Sequence, residues 1–141
     1  SAFIGPSAVV LAADAGARHL YVEANGLPES YAAMTNPLEA NESNIAAGAG
    51  IYKETCQSCH GAAGKGDGEN GFYYTPRPSD LTPWSNANEA SVEGVLSTDQ
   101  YLFWTISEGE AGKFETSMTA FKSQLTETER WQLVIFIRHG L

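Results

Sequence analysis

The strongest run of apolar positions lies near the end of the chain. Thr126 and Glu129 stand at capping-box spacing, and Trp131, Leu133, Val134, Ile135, Phe136 and Ile137 follow almost without a break. Apolar residues on nearly every side predict a helix that is substantially buried. A second helix is predicted over STDQYLFWTISEG. Ser97 and Gln100 have capping-box spacing, Leu102, Phe103 and Ile106 give an apolar face, and Gly109 is a stop signal. A third begins near Asn44, capped by Ser43 or Asn44, and places Ile45, Gly48, Ile51, Tyr52 and Thr55 at helical spacing before Cys56. Glycine inside a helix costs up to about 1 kcal/mol relative to alanine, which makes sense at Gly48 if another helix crosses closely there.

Between these helices, residues 61–97 are rich in Gly, Pro, Asn and Ser. Pro76, Pro78 and Pro83 exclude a helix through that stretch, leaving room for a short one around Glu89–Leu96. Residues 44–141 show no strand alternation, so their core is expected to be mostly helical. Residues 1–43 read as an extension, interrupted by Gly26, Pro28, Asn36 and Pro37. Its HLYVEA run fits a strand or a helical turn equally. The extension holds five acids against one base, Arg18. A wrap over the edges of the core is the favoured role, ahead of a docking arm.

Length and charge narrow the function. At 141 residues and 15.1 kDa the chain is one ordinary domain with a short extension. Eight Lys and Arg against 17 Asp and Glu give a net charge of −9. That balance argues against nucleic acid and against an anionic membrane surface, and it favours partners with a basic or apolar docking face. No stretch reaches the roughly 18 consecutive apolar residues of a membrane span. The apolar first 13 residues have no Lys or Arg before them, so no intact signal peptide is visible. A start at Ser1 fits a signal peptide already removed.

The two cysteines, Cys56 and Cys59, sit in CQSCH with His60. A Cys-x-x-Cys pair can be a redox disulfide, half a zinc site or a haem attachment. Zinc takes four ligands, usually from two paired knuckles, and there is no second cysteine pair. His19 and His139 lie at opposite ends of the chain. A thioredoxin-like site needs a βαβ setting that the pattern does not offer. The adjacent histidine favours haem: two thiols add to two vinyl groups while the imidazole reaches the iron.

In order, a helix with Gly48 and Tyr52, then CQSCH, a Pro-bearing loop, TSMTAF at 116–121 and the terminal ERWQLVIFIRHGL make residues 44–141 resemble the class I cytochromes c. The resemblance implies an all-α domain wrapped around one covalently bound haem c, with residues 1–43 as a loop-rich extension. It implies that Gly48 and Tyr52, eight and four residues before Cys56, pack against Phe136 and Leu133. It makes Met118, 58 residues after His60, the second axial ligand. Thr119 stands where the family commonly has proline. Met118 as a core filler, with His19 or His139 as the ligand, is the lesser alternative. The family also implies that His60 Nδ1 donates to a proline carbonyl, with Pro76 and Pro78 as candidates.

For the haem propionates the candidate donors are Arg77 and Trp84, with Tyr73 and Tyr74 as alternatives. Trp104 and Trp131 read as core residues. GKGDGEN only faintly resembles a calcium loop. With both axial positions filled, the expected role is outer-sphere transfer of single electrons between redox proteins, not catalysis. The expected setting is the periplasm. The alternatives are a haem subunit docked in a larger oxidoreductase and, ranked lower, an open-site haem sensor or enzyme, or a zinc or dithiol protein.

Overall fold

The terminal helix sets the frame. In the computed structural model, which describes residues 17–74, 77–86, 92–109 and 118–141, six α-helices follow one another. They are α1 (Ala17–Asn25), α2 (Glu29–Ala32), α3 (Glu42–Thr55), α4 (Gln57–His60), α5 (Asp99–Glu108) and α6 (Glu127–His139). Short 3₁₀ turns at Glu69–Tyr73, Thr82–Trp84, Gly94–Ser97 and Phe121–Ser123 join them. Among the described residues there is no strand.

The largest helix contact is α3 against α6, and Gly48 is why the two approach so closely. A Cβ at that position would meet the Gln132 carbonyl and lie 2.8 Å from Phe136 Cβ. One turn later the Tyr52 and Phe136 rings pack at 5.1 Å. The glycine penalty inside α3 is thus offset by contact along the crossing.

Capping explains where the helices start. At α6 both halves of the box form: Glu129 N donates to Thr126 Oγ1 at 3.1 Å and Thr126 N to Glu129 Oε1 at 2.8 Å. At α3 the cap is Asn41, whose side chain accepts from Asn44 N at 2.8 Å, and neither Ser43 nor Asn44 serves. The Asn44 side chain is engaged elsewhere, with the Glu39 carbonyl and the Gln132 amide. At α5 the cap moves from the expected Ser97 to Thr98, which accepts from Tyr101 N at 3.1 Å. Ser97 belongs to the preceding 3₁₀ turn, and its hydroxyl bonds the Gly94 carbonyl at 2.7 Å. Gly109 ends α5 with φ 59°, a left-handed angle that favours glycine. Of the short helix expected at Glu89–Leu96, residues 89–91 lie outside the described residues, and 94–96 belong to the 3₁₀ turn.

The HLYVEA segment is helical and forms most of α1, with Val22 in the core. Tyr31 and Met34 also pack against that core, which includes Trp104 and Trp131. Two long-range bonds attach this part of the chain near the end of α5. Arg18 Nη2 donates to the Gly109 carbonyl at 3.3 Å, and the Tyr31 hydroxyl donates to the Glu108 carboxylate.

Candidate cofactor site

CQSCH continues directly from α3. Cys56 ends that helix, and His60 N donates to the Cys56 carbonyl at 2.8 Å, so the motif is a single helical turn. The glycines that follow fit tightly against it. A Cβ on Gly68 would lie 2.6 Å from the Cys59 carbonyl oxygen, so side chains are kept off the back of the motif. The Tyr52 hydroxyl donates to the Gly61 carbonyl at 2.6 Å, tying α3 to the residue after His60.

Cys56 and His60 face a cavity of about 750 Å³, its open mouth included, between the motif, α1, α5 and α6. Its wall is largely apolar, with Leu81, Leu102, Ile106, Leu133 and Ile137 among the contributors. No disulfide joins Cys56 to Cys59. Burial pushes the Cys56 thiol up to about 11, with the Thr55 hydroxyl bond opposing and Cys59 adding to the rise. The group is therefore a neutral S–H near neutral pH.

His60 Nδ1 lies 2.9 Å from the Ser79 carbonyl. A carbonyl only accepts, so Nδ1 carries the proton and Nε2 keeps a lone pair. Burial holds the imidazole pKa below its usual value; the Ser79 bond opposes this, and the charge of Arg18 assists. The accepting carbonyl corrects the expectation of a proline: it belongs to Ser79, one residue beyond Pro78. Pro78 supports the loop instead, with its ring 3.2 Å from where a Cβ on Gly71 would be. Pro76 lies outside the described residues.

Met118 is half-buried and lines the same cavity. Its backbone runs against Gly109, where a Cβ would lie 2.6 Å from the Met118 carbonyl oxygen. Met34 packs on the core and does not line the cavity. His139 sits at the surface, 3.1 Å from the Asn86 amide. His19 does reach the cavity and makes edge contacts with Trp84 at 5.7 Å and Tyr101 at 5.8 Å. Burial lowers its pKa, helped by Arg18 and opposed by Glu23.

The expected propionate donors separate. Arg77 lines the cavity, with its guanidinium 4.1 Å from the Phe72 ring centroid. Trp84 lines it too, but its N–H donates to the Leu96 carbonyl at 2.7 Å, which engages the indole donor. Tyr73 and Tyr74 are exposed and are not among the described cavity residues. Sequence reasoning missed Arg18, which also lines the cavity. Its only signal was being the one base in an acidic stretch. Among the described residues no group of three or more His, Cys, Asp or Glu is placed to hold a metal ion.

The donor set suits haem. An apolar cavity offers a thiol, a neutral imidazole with its free nitrogen, a thioether and two guanidinium groups. The family profile of cytochrome c oxidase, cbb3-type, subunit III matches residues 43–137. Among solved structures, a chain of a reducing HAO-like protein complex from Kuenenia stuttgartiensis matches with a TM-score of 0.57 at 28% identity. The match covers 72% of this chain and 45% of that one, so this chain spans less than half of that relative's length. No curated protein matches.

Proposed function

The chain belongs to the family of cbb3-type cytochrome c oxidase subunit III, the c-type cytochromes, and from that premise we propose that it is a monohaem carrier of single electrons. The observation behind this reading is that His60, Met118 and Cys56 line one apolar cavity, with the Nδ1 proton of His60 engaged by Ser79. Bound there, haem supplies a one-electron Fe(III)/Fe(II) couple.

The residues divide the work. Cys56 and Cys59 would tether the group through thioethers, since a thiol S–H adds across a vinyl C=C bond with no oxidant. His60 offers Nε2 to the iron in an orientation fixed by the Ser79 carbonyl. Met118 offers sulfur from the other ligand-bearing segment, and a thioether favours the reduced metal, raising the potential. The aliphatic wall excludes water and further disfavours the extra positive charge of the oxidised state. With His60 and Met118 both holding the metal, substrates would not reach it, so the protein would pass electrons rather than catalyse. The setting is extracytoplasmic, in the periplasm, and redox partners dock by basic or apolar faces.

Absorption spectra of the oxidised and reduced protein test this. A low-spin c-type spectrum with a weak sulfur-to-iron charge-transfer band in the oxidised form is expected. A high-spin or bandless spectrum would remove Met118 from the iron and leave an open-site sensor or enzyme as the reading.

A second reading, that this is a haem subunit docked in a larger oxidoreductase, draws support from the solved relative being part of a complex. Purification from the native membrane or periplasmic fraction distinguishes the two: a stable assembly with other chains supports the subunit, and this chain alone the free carrier.

A further inference from the structure

Hydroxyls elsewhere in the fold find partners. The Thr55 hydroxyl donates to the Ile51 carbonyl at 2.7 Å, and the Ser107 hydroxyl accepts from Arg130 at 2.6 Å. Among the described residues two buried side-chain polar atoms lack a partner, Arg18 Nε and Thr105 Oγ1. Arg18 is engaged through Nη2 at the Gly109 carbonyl. Thr105 does not take even the bond to the carbonyl four residues earlier that Thr55 takes, although both lie in helices. A hydroxyl sealed from water without a partner costs free energy, and a helical threonine ordinarily avoids that cost with the bond Thr55 makes.

The orphan hydroxyl belongs to the cavity wall. Tyr101, Leu102, Thr105 and Ile106 recur at helical spacing and present one face of α5 to the cavity. One turn after Thr105 this helix meets the Met118 segment. The Thr105 carbonyl accepts from Gly109 N at 2.9 Å, and a Cβ on Gly109 would lie 2.6 Å from the Met118 carbonyl oxygen. Met118 lines the same cavity.

We propose that Thr105 is a positioning residue for Met118, its hydroxyl donating to the thioether sulfur when that sulfur holds the haem iron. This inference rests on the haem reading above and deepens it. The two side chains are not bonded to each other in the structure. Met118 is unbranched, with three rotatable bonds, so the contact needs rotation of that side chain and no shift of α5. A thioether sulfur accepts weakly, yet a proton shared with it draws electron density away from the metal. That favours the reduced state and raises the potential. A haem propionate is the lesser partner. The hydroxyl is sealed from solvent, whereas a carboxylate is cheaper to place at the mouth, where Arg77 is exposed.

The test uses the full chain, matured with haem, as wild type, Thr105→Val and Thr105→Ser. Valine keeps the shape and removes the hydroxyl; serine keeps the hydroxyl and removes the methyl. The midpoint potential and the position of the sulfur-to-iron charge-transfer band are read together, at one pH and ionic strength. In Thr105→Val the expected result is a retained low-spin spectrum, a displaced band and a lower potential. Thr105→Ser should stay near wild type in both. A structural role alone would change the melting temperature and leave both readouts at their wild-type values, which would overturn the proposal. Equal shifts in the two variants would also sink it, as an effect of packing. A lower potential with an unmoved band would put the hydroxyl on a propionate and refute the assignment to sulfur.

If Thr105→Val does not accumulate, Thr105→Ala takes its place beside Thr105→Ser: both lack the methyl and only serine keeps the hydroxyl. A band that differs between these two supports the contact, and one position shared by both refutes it. A wild-type spectrum without the charge-transfer band would instead remove Met118 from the iron and sink the functional reading, so the two failures are distinguishable.

Discussion

The cavity has two walls built in opposite ways. The His60 wall is local: α3 runs into the CQSCH turn, Tyr52 bonds the Gly61 carbonyl nine residues on, and the His60 ring is held by Ser79 nineteen residues on. The Met118 wall is assembled from afar. Arg18 reaches Gly109 across 91 residues and Tyr31 reaches Glu108 across 77. One wall is fixed by a short stretch of covalent chain, whereas the other depends on the folded whole. The two should therefore fail differently.

The largest contrast is expected between the two ligands. His60→Ala removes the proposed iron ligand held on the turn of the motif, and haem should be largely lost from the purified protein, read as haem absorbance per chain. Met118→Ala should keep the haem attached and lose the charge-transfer band, with a lower midpoint potential and a newly gained ability to bind carbon monoxide. Equal haem loss in both variants would erase the distinction between the walls.

Next in size is a test of the support behind the His60 wall. Gly48→Val forces side-chain atoms onto the Gln132 carbonyl and Phe136. Overpacking of this kind costs about 1–3 kcal/mol, and backbone as the obstacle places this variant at the upper end. Chemical denaturation measures it, and an unchanged midpoint would mean that the helices move apart freely.

The smallest effect belongs to the remote wall and depends on pH. Burial, and then the bond to the Glu108 carboxylate, push the Tyr31 hydroxyl from its ordinary 10.0 up to about 12. Because the folded value is the higher one, the contribution is complete below about pH 10 and is lost as pH rises towards about 12. Tyr31→Phe should therefore flatten the fall in melting temperature over that window. An identical alkaline slope in both proteins would show that the bond carries no weight.

The same division governs what the sequence disclosed. The local wall was legible because its chemistry is written in nearby residues: CQSCH and the glycine eight positions before it. The Ser79 carbonyl was displaced by one residue from the proline expected, since every residue has a carbonyl and spacing alone does not say which one turns inward. Neighbouring hydroxyl and amide residues hid the true caps: Thr98 beside Ser97, and Asn41 just before Ser43 and Asn44. Met118 was reached through resemblance, not through any local pattern. Arg18 was not reached at all. Its helix is nine residues long and is followed at once by Gly26 and Pro28, so punctuation masked the element. The partner of Arg18 is a backbone carbonyl, which leaves no mark in a sequence.

The bond from Arg18 to Gly109 also bears on the order in which the molecule assembles. Closing a chain over 91 residues before anything else has formed is entropically costly. Once α3, α5 and α6 have packed, the open loop shrinks to the stretch between Asn25 and Glu42, and closing it becomes far cheaper. The economical route is for α1 to dock last, on a core already made. Until it does, the side of the cavity that Arg18 and His19 line stands open, which gives the proposed haem a way in before the fold closes.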